Sequence, residues 1–207
     1  MIDSERIKAA VVELISAIGE DPNRSELQAT PTKVAEAYAE FFKGVGQDAK
    51  LAIADTFEAE HVEVVILKDI DFVSICEHHL LPFTGVAHIA YLPTDRVVGL
   101  GRLPKLVEII GARPQLQESL TAQIADALEE GLGTQGVVVV IEARHHCVIS
   151  RGARQPDRHR PDQRHRPLLQ ALRLLRADAD HVEPPLGADL RHQRDDLRGA
   201  DIQPDDQ

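Results

Sequence analysis

The order of apolar and polar positions divides the chain into segments of different period. Ile7, Val11, Leu14, Ile15 and Ile18 recur at helical spacing and lay one apolar stripe along a first amphipathic helix. Thr30 and Pro31 open a second. Threonine is a good N-cap, proline fits the first helical position, Val34, Tyr38, Phe41 and Phe42 form the buried face, and Gly44 supplies a stop. From His61 the period falls to two: Val62, Val64 and Ile66 alternate against Glu63 and Val65, marking a strand that runs toward Cys76. Residues 85–91 read as a second strand, ending at the turn Pro93-Thr94-Asp95, and residues 96–100 as a third. Leu103, Leu106, Val107 and Ile110 then share one short helical stripe. Leu116, Leu120, Ile124, Ala127 and Leu128 share a longer one that Gly131 and Gly133 end. The β-branched run 136–141 carries a further strand into RHHCVISRG. This order predicts an α+β fold, an antiparallel sheet with helices on one face, preceded by N-terminal helices.

Beyond residue 157 the pattern stops. From Asp157 to Gln207 there is no Lys, Ser, Thr, Asn, Cys, Met, Phe, Tyr or Trp, and the stretch offers only Val182 and Ile202 as β-branched residues. Such a segment has little capacity for a sheet or a core, so the expectation is a disordered tail in which residues 168–176 form at most a short helix and no closing strand. The permitted residue set is what GC-rich DNA yields in the wrong reading frame, and the tail is read as frameshifted or disordered. The expected division is a helical region over 1–60, a catalytic domain over 61–157 and an atypical tail over 158–207.

Charge and cysteine content narrow the function. Lys and Arg total 23 against 34 Asp and Glu, a formal net charge of -11. Such a surface repels nucleic acid and anionic membrane, so neither is expected as a main partner, and any bound phosphate must meet a local basic cluster. The N-terminal twenty residues lack the features of a signal peptide and no window is apolar enough to span a bilayer, which points to the cytoplasm. There the two cysteines, Cys76 and Cys147, are expected as thiols or metal ligands rather than as a disulfide.

Both cysteines stand beside doubled histidines: Cys76-Glu77-His78-His79 forms C-x-x-H, and His145-His146-Cys147 closes a second cluster. Thiolate and imidazole are the ligands zinc prefers, and C-x-x-H at a strand end can reach one ion from a tight turn. A closed site would use Cys76, His79, Cys147 and His145 or His146. An open one would use three ligands and leave a place for water. The spare histidines favour the open form, because hydrolysis needs proton donors of near-neutral pKa beside the metal.

SICEHHLLPF, VVGL, RPQLQESLTAQIADAL and EARHHCVISRG, with EDPNR and TPTKVAEAY upstream, resemble in order and spacing the motifs of GTP cyclohydrolase I over about residues 7–157. The resemblance implies the tunnelling fold, a toroidal homo-oligomer, typically a decamer, and zinc-dependent hydrolysis of GTP to 7,8-dihydroneopterin triphosphate and formate, the entry to pterin and tetrahydrofolate biosynthesis. Carried over by position, it implies Cys76, His79 and Cys147 as Zn2+ ligands and His78 and His145 as proton donors near the guanine imidazole ring. It implies Glu118, assisted by Gln117, as the reader of guanine, and Arg102, Lys105 and Arg151 as cations for the triphosphate. A carboxylate suits guanine because N1-H and the 2-amino group present two adjacent donors. Gly101-Arg102 replaces the family's usual Ser-Lys and Lys105 its usual Arg, so charge is kept and one hydroxyl is absent. A second reading, of a different class, is a zinc-stabilised binding or regulatory module that keeps the fold without catalysis.

Overall fold

Apolar periodicity of 3.6 residues becomes helix, and of two becomes strand, along most of the chain. A computed structural model describes residues 2–59, 63–152, 154 and 169–175. The described residues belong to one compact unit, Met1–Ala177.

Helix α1 (Ser4–Ala17) is capped by the Asp3 side chain, which accepts from the Arg6 amide, and α2 (Thr30–Phe41) carries Pro31 in its first turn. The cap of α2 is Ala29, one residue before the expected threonine. Of the α1 stripe only Ile15 is buried, and Leu14 and Ile18 are exposed. Gly44 does not end α2, whose C-cap is Phe42. A Cβ there would lie 2.0 Å from the Ile109 carbonyl oxygen, so glycine lets the backbone approach the next helix layer, where its amide donates to Ala112.

A 3-10 turn over Ala49–Ile53 leads to β1 (Thr56–Glu58). That strand, inside the region expected to be only helical, pairs antiparallel with β4 (Arg96–Val98). The main sheet contains β2 (Val65–Cys76), β3 (Pro82–Leu92), β5 (Pro114–Gln115), β6 (Gly136–His145) and β7 (Leu169–Leu175), in the order β5-β2-β3-β6-β7. All pairings are antiparallel except β2 with β5. Helices α3 (Arg102–Gly111) and α4 (Gln117–Leu132) pack on the sheet, and both stripes are buried as expected apart from half-buried Leu116. Gly133, at φ +60°, caps α4 in the left-handed region that glycine adopts without strain.

Two further expectations are corrected. The inward face of β2 is Val65 and Leu67, then Ile70, Phe72 and Ser74, whereas Val64 and Ile66 are exposed. A bulge between Leu67 and Ile70, with Asp69 at φ +58°, adds one residue and keeps Leu67 and Ile70 on one face. The second correction concerns the tail: residues 169–175 form neither a helix nor unpaired chain but a strand, Leu169 opposite Ala143 and Leu175 opposite Val137. The outer edge of β6 presents a row of backbone donors and acceptors, and any proline-free segment can satisfy it, so this edge outweighs weak strand propensity. The other tail residues expected to be disordered lie outside the described residues.

Candidate metal and nucleotide site

The odd-numbered residues of β6, Val137, Val139, Ile141 and Ala143, face the core, and His145 is the next in that series at the strand's end. In register it lies opposite Phe83, the first inward residue of β3, and its ring stacks on the Phe83 ring at 4.7 Å and 3°. Cys76 ends β2 at the same end of the sheet, 3% exposed. The turn after it is held by the Cys76 amide to Leu81 O (2.9 Å) and the Leu80 amide to Cys76 O (2.9 Å). Parallel pairing of Cys76 with Gln115 and donation from the Glu77 amide to Gln115 O (3.1 Å) tie this turn to β5. Gln115, buried, donates in turn to Ile110 O (3.1 Å) and Gln123 Oε1 (3.1 Å). Cys147 follows β6 on the short helix α5 (His146–Ile149) and is half-buried.

Cys76, His145 and Cys147 each offer a ligand atom, all within 4.8 Å of one another. A tetrahedral ion with bonds of about 2.0 to 2.3 Å needs ligand atoms roughly 3.5 to 4 Å apart, so two sulfurs and one imidazole nitrogen at this spacing fit a metal ion after a small adjustment. Burial, then the neighbouring Cys76, pushes the Cys147 thiol pKa up, and a bound cation would reverse that by favouring thiolate.

The family resemblance implies His79 with the two cysteines, and spacing alone leaves His145 or His146 open as a fourth ligand. His79 is exposed on the turn, and its Nε2 accepts from Arg151 Nη1 at 2.8 Å. His78, also exposed, lies 6.3 Å from His79 between ring centroids. Gln117 and Glu118 begin α4 at this end of the sheet. Gln117 is 2% exposed, donating from Nε2 to Ile141 O (2.9 Å), with its Oε1 2.8 Å from His145 Nε2. Glu118 is exposed in the first turn, where the helix dipole favours a carboxylate. Burial lowers the His145 pKa, and the Glu118 carboxylate opposes it.

The three candidate phosphate cations are exposed and each holds another side chain. Arg102 Nη2 reaches Asp55 Oδ2 (3.0 Å), Lys105 Nζ reaches Glu108 Oε2 (2.9 Å), and Arg151 holds His79. Gly101 is the N-cap of α3, and a Cβ there would meet nothing within 4 Å, so the family's serine would fit. Phe83 and Gln115 had no signal in spacing. Strand register, once known, puts Phe83 against His145.

A family model described as GTP cyclohydrolase I matches residues 7–171, which takes the likeness fourteen residues past residue 157, where the resemblance read from the sequence ends. GTP cyclohydrolase 1 of Leifsonia xyli subsp. xyli is 56% identical over 155 residues, covering 74% of this chain and 81% of that relative. GTP cyclohydrolase 1 of Streptococcus pyogenes serotype M18 is 53% identical over 156 residues, covering 75% and 80%. That of Streptococcus mutans serotype c is 52% identical over 157 residues, covering 75% and 82%. Among solved structures, the archaeosine synthase QueF-Like in its apo form aligns with a TM-score of 0.39 at 12% identity, over 56% of this chain and 95% of its own.

Proposed function

This chain belongs to the GTP cyclohydrolase I family of hydrolases, and from that premise we propose that it converts GTP and water to 7,8-dihydroneopterin triphosphate and formate, in the cytoplasm, as the first step of tetrahydrofolate and pterin biosynthesis. The observation that carries the reading is the meeting of Cys76, His145 and Cys147 beside the start of α4, where Gln117 and Glu118 stand. Zinc is the proposed ion, because two thiols and an imidazole form a donor set it prefers, and when bound it supplies Lewis acidity for the addition of water.

The residues divide the remaining work. Glu118 accepts guanine N1-H and the 2-amino group in parallel and so sets which ring enters, with Gln117 at its side. His145, stacked on Phe83 and held by Gln117, is placed to move a proton at the imidazole portion of the base; burial lowers its pKa, and Glu118 partly opposes that. His78 is the second proton donor, reached from the turn. Arg102, Lys105 and Arg151 receive the triphosphate. His79 completes the metal set with Cys76 and Cys147, on the C-x-x-H spacing. A second ligand set, with His145 in place of His79, is favoured by the 4.8 Å grouping.

Assembly into a homo-oligomer, a decamer by family expectation, is supported by the outer edge of β2. Among the described residues that edge pairs only with β5, at Ile75 and Cys76, and Ile66 and Val73 of this strand, with Val64 just before it, are exposed. Sedimentation would show a species many times the 22.8 kDa chain. A monomer at micromolar concentration would refute it.

Purified zinc-loaded protein incubated with GTP tests the activity. Formate and 7,8-dihydroneopterin triphosphate, the latter read as the fluorescent pterin after oxidation with added iodine, are expected in equal amounts. Folded, zinc-bound protein that binds GTP and releases no formate would overturn the reading in favour of the binding module.

A further inference from the structure

The orientation of one buried amide determines more than guanine contact. Gln117 Nε2 lies 2.9 Å from the Ile141 carbonyl oxygen, which can only accept, so the NH2 end of the amide must face Ile141 and Oε1 must face His145. Oε1, an acceptor, lies 2.8 Å from His145 Nε2, so that nitrogen is the donor. A neutral imidazole with its proton on Nε2 has one lone pair left, on Nδ1. The ring has little freedom to choose otherwise. His145 is 8% exposed, its plane is fixed within 3° of the Phe83 ring, and its β6 position is fixed by the register with β3.

We propose that Gln117 is a positioning residue that links the Ile141 carbonyl to His145, locking the imidazole in the Nε2-H tautomer and leaving Nδ1 as its only lone pair. The consequence for the proposed reaction, on which this inference builds, is that His145 meets metal, water or base through Nδ1 alone. With the other tautomer the ring would present Nε2 as an acceptor to an amide oxygen, an uncompensated contact in a buried place. This assigns Gln117 a task distinct from holding guanine: both ends of its amide are committed inside the protein, one to backbone and one to the histidine. Partners of this kind fix which nitrogen of a functional histidine is available, and their loss costs about 10- to 100-fold in metal affinity or activity.

The test reads the tautomer directly. Nitrogen NMR of the full zinc-loaded chain labelled at histidine, in mildly alkaline buffer, separates Nε2-H from Nδ1-H rings, and a His145→Gln spectrum identifies the resonance. His145 is expected as Nε2-H in the unaltered protein. In Gln117→Met, which keeps length and removes the acceptor, the signal should move toward the other tautomer or a mixture. Alongside it, kcat should fall about 10- to 100-fold with KM for GTP little changed. An Nδ1-H ring in the unaltered protein, or an unmoved tautomer in Gln117→Met, overturns the proposal. A rise in KM without a change in kcat overturns it in favour of guanine binding. Because the unaltered chain can refute the idea by itself, a variant that fails to fold does not remove the test. The tautomer needs no turnover to be seen, so a chain that releases no formate still decides this question.

Discussion

Cys76, Gln117 and His145 are buried where three strands end, and each is held by backbone pairing or by an internal hydrogen bond. Arg102, Lys105 and Arg151 lie on the surface, and each holds a partner that a ligand would have to displace. At the first end the geometry is set by the core itself, so little ordering would remain for a substrate bound there. At the second end, Asp55 and Glu108 compete with any phosphate. Exposed pairs of this kind are worth about 0 to 1 kcal/mol, so exchanging them for a highly charged triphosphate is cheap. On the proposed reading the buried end would govern chemistry and the exposed end capture, with the Arg151–His79 contact joining the two.

The largest effect should come from breaking the buried end. Cys147→Ala is expected to lower zinc from about one ion per chain to almost none, with formate release falling to background. Metal analysis and a formate assay check it, and full zinc retention would refute the assignment. Two further variants sharpen it. If His79 is the third ligand, His79→Ala loses zinc and His145→Ala keeps it, and the reverse result selects the grouping of Cys76, His145 and Cys147.

Glu118 stands between the two ends: exposed, yet close enough to His145 to influence its charge. In Glu118→Ala the paired hydrogen bonds to guanine would be lost, at about 1.5 to 3 kcal/mol for a charged acceptor, so kcat/KM for GTP should drop about 10- to 100-fold. Thermal stability should hardly change, since an exposed first-turn carboxylate contributes only about 0.3 to 1 kcal/mol. GTP affinity equal to that of the unaltered chain, in a folded variant, would remove Glu118 from the site.

The same contrast explains what the sequence revealed. The stripes of α3 and α4 were legible because 3.6-residue periodicity is a local property, and Leu103, Leu106, Ile124 and Leu128 are all 0% exposed. Cys76 and Cys147 were legible as a pair because cysteine is rare in this chain and histidines adjoin both. The partner of His145 was not: Gln117 is 28 residues away, and only the seating of α4 against β6 brings them together. Val64 and Ile66 misled because an inserted residue in β2 sets the face, and alternation alone cannot show a bulge. The strand at 169–175 was invisible for a related reason. Its pairing is decided by the open edge of β6 rather than by its own residues.

A smaller effect is expected at the exposed end. Asp55→Asn removes the carboxylate that holds Arg102, which would leave the guanidinium free for phosphate. Tripolyphosphate affinity should rise about two- to five-fold, the equivalent of one exposed ion pair, and the gain should shrink as salt is added. Calorimetry at low and high salt measures both. No gain at low salt would mean that Arg102 does not face the triphosphate.

The smallest effect concerns Glu108, which joins Lys105 of the exposed end to Lys43 beyond α2. Hydrogen bonding to Lys43 and then to Lys105 lowers its carboxyl pKa below the ordinary glutamate value. Since the folded-state value lies below the unfolded one, the pairing stabilises the fold fully above the unfolded glutamate value. That contribution is lost as pH falls through the lowered folded value. Its side chain is 42% exposed, so solvent screening keeps the contribution below about 1 kcal/mol. Chemical unfolding of Glu108→Gln beside the unaltered chain should show a small deficit at neutral pH that closes in acid. The variant should also release Lys105. Tripolyphosphate affinity should therefore rise slightly at neutral pH while stability falls, and a variant that lost both would place Lys105 away from the phosphate.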